Sequence, residues 1–302
     1  MRRLALVFMV VAVFFLTFPS ITAQQPVNYD DIALLRWYSA NLTASFTVGN
    51  NPSAVAFDGS HVWVANFYSS TVTELQANDG AVVGTFSAGA NPEGLVFDGA
   101  NIWVANSGSV VTKLRASDGS VLGSYYLGGS SARPGLAFDG ASIWVPLPNR
   151  VMKLRASDGA VLGRFNVNGI AYGIACDGSN MWVTTSDTSS LIKLRSSDGT
   201  VLGTYPVGTN PYGIAFDGTN LWVANHGSND VSEVRASDGA VVGTFPAGSG
   251  PSGVAFDGTN IWVTNSVATM SPSLRRATAP SWEHLRSDDR LGELPSTAPM
   301  SG

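Results

Sequence analysis

Short apolar runs separated by polar turns dominate the chain from residue 51 onward. The runs are rich in Val, Ile, Ala and Trp, and Gly, Asp, Asn or Ser residues bound them. Runs of this length and composition predict β-strands rather than helices. The Asp-Gly pairs between them favour tight hairpins, because both residue types tolerate positive φ. The pattern therefore predicts an all-β protein.

The same two hairpins recur with a period near 40 residues. The first carries Phe-Asp-Gly before a Trp-Val strand, with Cys in place of Phe at residue 176. Its aspartates are Asp58, Asp98, Asp139, Asp177, Asp217 and Asp257. The second is clearest in residues 113–123, where Lys-Leu-Arg-Ala-Ser-Asp-Gly precedes Val-Leu-Gly. We label the four strands of each repeat A to D. A period of this length with four short strands predicts a β-propeller of four-stranded blades.

Six blades can be read between residues 32 and 267, and the two ends complement each other. Residues 34–36 and 46–49 match strands C and D, whereas residues 251–265 supply only strands A and B. We expect the two ends to pair into one blade, which would close the ring and remove two exposed strand edges.

The first 23 residues have the features of a secretory signal peptide. Arg2 and Arg3 precede an apolar run over residues 4–18, and the small residue Ala23 follows at a plausible cleavage site. An uncleaved membrane anchor is the alternative, but the run is short for a membrane span. We expect residues 24–31 to be a linker, and the mature protein to be secreted, periplasmic or at the cell surface, with no membrane span after signal removal.

The composition excludes several classes of protein. Of the 302 residues, 44% are hydrophobic and 13% charged, which excludes intrinsic disorder, and one cysteine excludes a disulfide scaffold. A net charge of −5 argues against a nucleic-acid or anionic-membrane surface. Because 11 of the 17 aspartates precede glycine, the acidity reflects hairpin turns and does not imply a cationic partner.

The strand B quartets resemble a known repeat. Trp-Val-Ala-Asn at 63–66, 103–106 and 222–225 and Trp-Val-Thr-Asn at 262–265 are similar to the Tyr-Val-Thr-Asn motif of the YVTN family of extracytoplasmic β-propellers. The resemblance covers residues 32–267 and implies a seven-bladed ancestor, binding or cell-surface roles and no common catalytic residues. The quartets at 144–147 and 182–185 depart from the motif.

The resemblance extends to NHL and streptogramin-lyase-like propellers, which are similar in repeat length. For the lyases it implies a His with metal-binding Glu residues at blade tips. No Glu occupies the fourth quartet position here, which puts that activity in doubt.

Residues 268–302 form an irregular tail that is open to two interpretations. One is a disordered chain end. The other is a frameshift near residues 266–272 that has scrambled a seventh repeat. In codons built from the last base of one residue and the first two of the next, residues 276–285 can spell Ser-Asp-Gly-Ala-Val-Leu-Gly-Thr-Phe. In that case Trp282 and His284 carry no evolved function.

A functional site is expected on the face where the repeats differ. The A–B and C–D turns scarcely vary, whereas the B–C and D–A loops on the opposite face do, around the mouth of the central channel. Arginines there could pair with a carboxylate or phosphate, and aromatic residues could stack on a ligand. Ordinary loop surface is the alternative. The candidate ligand-binding residues are Phe67, Tyr68, Glu93, Arg133, Arg150, Tyr172, Tyr212 and Asp230.

His226, near Asp230, is the best catalytic candidate, although a lone His is weak evidence. No residues have metal-ligand spacing, so no metal or cofactor is predicted for a binding protein. The repeated features have structural interpretations. We expect the tryptophans to pack between blades, the strand B asparagines to cap turns, Cys176 to be a buried hydrophobe, and the repeated Lys and Arg residues to pair with turn aspartates.

The sequence thus favours an exported, monomeric, non-enzymatic binding or scaffold propeller, without nucleic acid. Its partner would be a protein, a peptide or a small polar ligand on the variable face. The alternative is a metal-dependent lyase or hydrolase of streptogramin-lyase or gluconolactonase type, with a divalent metal at the same face.

Overall fold

The computed structural model describes residues 46–129, 132–266 and, as backbone, 274–275. The predicted signal peptide, the linker and most of the tail lie outside these residues. The described part consists of strands and turns, and it contains no helix that could span a membrane. The strands are β1 (Pro52–Phe57), β2 (His61–Asn66), β3 (Thr71–Gln76), β4 (Val82–Ser87), β5 (Pro92–Phe97), β6 (Asn101–Asn106), β7 (Val110–Arg115), β8 (Val121–Tyr126), β9 (Ala137–Phe138), β10 (Ser142–Arg155), β11 (Val161–Cys176), β12 (Asn180–Thr185), β13 (Ser190–Arg195), β14 (Val201–Pro206), β15 (Pro211–Phe216), β16 (Asn220–Asn225), β17 (Asp230–Arg235), β18 (Val241–Pro246), β19 (Pro251–Phe256), β20 (Asn260–Asn265) and β21 (Leu274–Arg275).

The strands form antiparallel blades, so the predicted β-propeller is confirmed. Blades 1, 2 and 5 are the four-stranded sheets β1–β4, β5–β8 and β15–β18, each in chain order. Blades 3 and 4 share one six-stranded sheet, because β10 contains strands B and C of blade 3, and β11 contains strand D of blade 3 and strand A of blade 4. Blade 6 contains β19, β20 and β21.

Strand β21 falls inside the predicted irregular tail. Arg275 pairs with Asn260 and Leu274 with Ile261, and in blade 5 Arg235 pairs with Asn220 and Val234 with Leu221. Leu274–Arg275 therefore occupies the strand C position of blade 6. The repeat register extends past Val267, where the sequence pattern suggested that it ends.

Residues 46–49 occupy the place of a strand D from a blade preceding blade 1. The ring of Phe46 lies against Gly80, just as Phe86 lies against Gly119 one blade further on. Phe46 and Val48 also pack on Phe57, Val62 and the neighbouring buried residues of blade 1. The match with strand D is thus reproduced in space, whereas the residues that would close the ring lie outside the described part.

The core lies between blades. Trp63 belongs to blade 1 and packs with Ile102, Val104 and Leu114 of blade 2. The tryptophans of blades 2–5 repeat this arrangement towards the next blade, and the first five are at most 1% exposed. Each also contacts the strand D aromatic ring of its own blade, as Trp103 stacks on Tyr125 with centroids 5.4 Å apart. The predicted interblade packing is confirmed.

In the Asp-Gly turns of the described residues, the glycine has positive φ and the aspartate does not. Gly59 and Gly218 have φ of 101° and 93°, whereas no aspartate in the described residues has positive φ. The aspartates contribute through their carboxylates. Oδ1 of Asp58 accepts hydrogen bonds from the backbone N–H groups of Ser60 and His61. The hairpins form as predicted, with the positive φ at the glycine and the aspartate acting through its side chain.

Candidate functional site

The strand A backbones of adjacent blades approach one another closely. A Cβ atom at Gly173 of blade 4 would overlap the carbonyl oxygen of Tyr212 in blade 5, and one at Gly94 would overlap that of Pro134. Thr184 Oγ1 also donates a 2.7 Å hydrogen bond to the Tyr212 carbonyl. Because the backbones are this close, the residue at the start of each strand A is held beside its counterpart in the next blade.

Four predicted site residues form one continuous stack across blades 3, 4 and 5. The guanidinium carbon of Arg133 lies 5.9 Å from the centroid of the Tyr172 ring. Tyr172 stacks on Tyr212 with centroids 4.1 Å apart and planes at 10°, and Tyr212 stacks on His226 at 4.7 Å and 24°. We call Arg133, Tyr172, Tyr212 and His226, together with Glu93 described next, the stacked row.

Glu93 extends the stacked row into blade 2. Burial raises the pKa of its carboxyl group, and the charge of Arg133 opposes that rise. Burial also raises the pKa of Tyr172, with a further contribution from Tyr212, while Arg133 acts in the opposite direction. The pKa values of Glu93 and Tyr172 are both raised because the row is partly shielded from water.

Arg133 retains an unused donor within this row. Its backbone N–H donates to the Pro146 carbonyl at 3.1 Å, which fixes the loop. Its buried Nε atom has no hydrogen-bond partner among the described residues. A buried guanidinium donor without a partner is costly, and a carboxylate or phosphate would satisfy it once a shift of the Arg133 side chain brings Nε to the surface.

His226 is held at the far end of the row. Its backbone N–H donates to the Asn210 carbonyl, and its Nε2 lies 3.4 Å from Ser266 Oγ. Asp230, the acidic neighbour expected from the sequence, instead accepts a 2.6 Å hydrogen bond from the Asn225 amide. His226 therefore stacks on Tyr212 and contacts Ser266, and no contact between His226 and Asp230 is seen among the described residues.

The remaining candidates lie at other positions of the blades. Phe67 and Tyr68 form an edge-to-face pair on blade 1 with centroids 5.2 Å apart, and Tyr68 is 72% exposed. Arg150 lies in β10 opposite Asn166. Asp230 belongs to strand β17 and supports Asn225. The structure thus brings together five of the nine residues singled out from the sequence.

The structural interpretations of other repeated residues are largely supported. Arg115, Arg155, Arg195 and Arg235 each pair with the aspartate three residues later. The three lysines reach carbonyl oxygens of the next blade, as Lys113 Nζ does to Ala156 at 2.6 Å, and Lys153 also pairs with the turn aspartate Asp139 at 3.2 Å. The amide of the buried Asn66 donates to Thr71 and Thr73, so it supports strand C rather than contacting a ligand.

One cluster was missed by sequence reasoning. Asp58, His61 and Glu74 of blade 1 meet on the face of the A–B turns, opposite the stacked row, with ligand atoms within 4.8 Å of one another. Their spacing matches no metal motif. A comparison between repeats could have found them, because four other blades have Asn where blade 1 has His61, and three have Lys where it has Glu74.

Comparisons with known proteins support the fold. No family model and no curated protein sequence matches the chain. A chain of Kuenenia stuttgartiensis hydrazine synthase is similar in structure, with a TM-score of 0.68 and 18% identity over 80% of this chain and 88% of that one. A functionally unknown protein from Desulfotomaculum acetoxidans DSM 771 gives 0.59 and 14%, covering 68% of this chain and 73% of that one. The WD40 β-propeller domain of Doa1 gives 0.62 and 13%, covering 70% and 75% respectively. At these identities the likeness defines the class of fold, a β-propeller, and carries no activity with it.

Proposed function

We propose that this chain is an exported, non-enzymatic binding propeller whose repeats are of the YVTN type, and that its ligand contacts the stacked row. The observation that carries the proposal is the juxtaposition of the Arg133 guanidinium, with its unpartnered buried Nε, and the stacked rings of Tyr172 and Tyr212. A guanidinium group beside aromatic rings suits a planar or extended ligand that bears a carboxylate or phosphate.

The position of the row on the fold supports the same conclusion. The row occupies the face where the loops differ between blades, and the backbone around it is rigid because adjacent strands A are in close contact. Ligand sites combine apolar and aromatic walls with a few precisely placed polar groups, which is the composition of this row. Because the backbone is tightly packed, we expect a ligand to bind here without rearrangement of the backbone.

The proposal is tested by ligand-observed NMR with benzoate as the probe. We expect saturation transfer to benzoate but not to benzyl alcohol, which has the same ring without the charge. Arg133→Gln and Tyr212→Ala should abolish the benzoate signal, and Tyr68→Ala should retain it, because Tyr68 is an exposed aromatic outside the row. An equal signal in all four proteins would refute the site.

The alternative enzyme requires a divalent metal at the same face. A metal-dependent lyase or hydrolase would use Glu93 or His226 as a ligand or base. It predicts that Mg²⁺ or Ca²⁺ raises the Tm of the wild-type protein and that Glu93→Gln or His226→Asn removes this shift. A binding protein without metal chemistry predicts no such shift from this face.

Export is tested separately from binding. The charged start, the apolar run and Ala23 support cleavage after residue 23. When the full chain is expressed in a bacterial host, protein recovered outside the cytoplasm should begin at Gln24. Retention of Met1 in a membrane fraction would instead indicate an anchor.

A further inference from the structure

The A–B turn face of blade 1 holds three side chains with metal-ligating atoms around one point. His61 Nδ1 lies 3.3 Å from Asp58 Oδ2 and 3.4 Å from Glu74 Oε1. The carboxylates are well buried, with side-chain exposures of 8% and 5%, whereas His61 is 32% exposed. Both carboxylates face His61, and a metal cation bound among the three side chains would offset the cost of burying two negative charges in one place.

Three of the other blades place a cation at the equivalent position. Where blade 1 has Glu74, blades 2, 3 and 4 have lysines, whose ammonium groups lie 4.7–5.0 Å from the centroids of the strand B tryptophans. In blade 3, Lys153 Nζ is 3.2 Å from Oδ2 of Asp139, the residue equivalent to Asp58. Blade 5 has Glu233 at this position, and its Oε1 accepts a 2.6 Å hydrogen bond from the Asn220 amide. Blade 1 differs from blade 5 because His61 stands where blade 5 has Asn220, which adds a metal-ligating nitrogen to the two carboxylates.

Two separations in the cluster match those between ligands of one metal ion. Ligands of tetrahedral zinc lie about 2.0–2.2 Å from the ion, which separates two ligand atoms by roughly 3.3–3.6 Å. The two separations from His61 Nδ1 fall in this range. Hydrogen bonds between nitrogen and oxygen are shorter, with a mode of about 2.9–3.0 Å.

The residues around the cluster orient the first ligand. Asp58 Oδ1 accepts from the backbone N–H groups of Ser60 and His61 at 2.8 and 2.7 Å. Trp63 Nε1 donates to Asp58 Oδ2 at 2.9 Å. Such outer hydrogen bonds fix a carboxylate for metal binding and leave a lone pair of Oδ2 available. The exposed edge of His61 gives an entry path for the ion.

We propose that Asp58, His61 and Glu74 bind one zinc ion, with water as the fourth ligand. The ion ties the A–B turn to strand β3 and takes the place that lysine occupies in blades 2–4. It stabilises the first blade and lies on the opposite face from the stacked row, so the proposal is independent of the proposed ligand site.

The test is zinc titration of the full chain after dialysis against a chelator, followed by calorimetry and thermal unfolding. We expect a stoichiometry of one and a rise in Tm of roughly 5–10 °C at zinc concentrations about 100-fold above Kd. Cobalt(II) should bind to the same site and give visible absorption from a tetrahedral nitrogen and oxygen environment.

The repeats themselves supply the matched variants. His61→Asn and Glu74→Lys introduce residues that other blades carry at these positions, so the variants should fold. We expect His61→Asn to weaken zinc binding by at least about 10-fold and Glu74→Lys to abolish it. Glu233→Lys, at the equivalent position of blade 5, should bind as the wild type does. The proposal is overturned if the wild type binds no zinc, or if binding survives both substitutions or is lost only in Glu233→Lys.

Discussion

Trp222 Nε1 donates a 2.9 Å hydrogen bond to Oδ2 of Asp217, five residues earlier in the chain. The other oxygen of this carboxylate accepts from the backbone N–H groups of Thr219 and Asn220. One aspartate thus closes the A–B turn and satisfies the only polar atom of a buried tryptophan side chain. All six blades repeat the bond to tryptophan, at 2.7–2.9 Å.

This relationship predicts a large cost for Asp217→Ala. The substitution leaves the N–H of Trp222, which is 1% exposed, without a partner and removes the acceptor of the turn. We expect the free energy of unfolding to fall by about 2–3 kcal/mol, measured by urea denaturation.

The control for Asp217→Ala is Asp238→Ala in the C–D turn of the same blade. Asp238 is exposed and pairs with Arg235 at 2.9 Å, so its removal should cost a small fraction of the Asp217 effect. Equal losses in the two variants would contradict the assigned role of the tryptophan bond.

Gly173→Ala should destabilise the channel mouth. The added Cβ would collide with the Tyr212 carbonyl oxygen, and backbone atoms cannot yield as a flexible side chain can. We expect a loss of about 2 kcal/mol or more, measured by thermal unfolding. Gly108→Ala is the control, because a Cβ there has no neighbour within 4 Å, and its effect should stay within about 0.5 kcal/mol. Similar effects at both positions would mean that the strands A are not in close contact.

Cys176 should react slowly with alkylating reagents in the native protein. Burial raises the pKa of its thiol to about 11, from an ordinary value of 9.0. Because the thiolate is the nucleophile, the reactive fraction at pH 8 should be roughly 100-fold smaller than for a free cysteine. The iodoacetamide rate should keep rising with pH up to about 11 and should increase sharply when the chain is unfolded in urea. Rapid native labelling at pH 7 would identify a reactive thiol and contradict the structural interpretation.

The pairing of β21 moves the expected frameshift from residues 266–272 to a later point in the chain. Arg275 keeps the strand C register, and the string Ser-Asp-Gly-Ala-Val-Leu-Gly-Thr-Phe begins with the shifted codon that enters Ala277. We therefore propose that the reading frame is intact through Arg275 and changes directly afterwards.

The nucleotide sequence provides the measurement for this frame change. The shifted frame should encode that string after codon 275 and continue in the repeat pattern. A shifted frame that lacks the string would refute the idea. If the frame is restored, the expressed protein should have a higher Tm, because Trp262, partly exposed here, would gain a neighbouring blade.

The sequence was a good guide wherever one residue type repeats in every blade. The spacing of the Phe-Asp-Gly turns and the Trp-Val strands predicted the blades, and the buried tryptophans follow from it. The sequence did not show how the aspartates stabilise the Asp-Gly turns, because the hydrogen bonds that their carboxylates accept depend on the folded geometry. It also missed the cluster around His61, whose third member comes from strand C.

The architecture of this protein follows from its sequence, because a period of 40 residues with strand-forming runs and glycine turns leaves few alternatives for burying the apolar faces. Which of the variable residues meet depends on how the blades are arranged in space. Arg133, Tyr172 and Tyr212 lie about 40 residues apart in sequence, and they stack because adjacent strands A contact each other through glycine. Asp230 looked equally suitable in sequence, but in strand β17 its carboxylate accepts a hydrogen bond from the Asn225 amide.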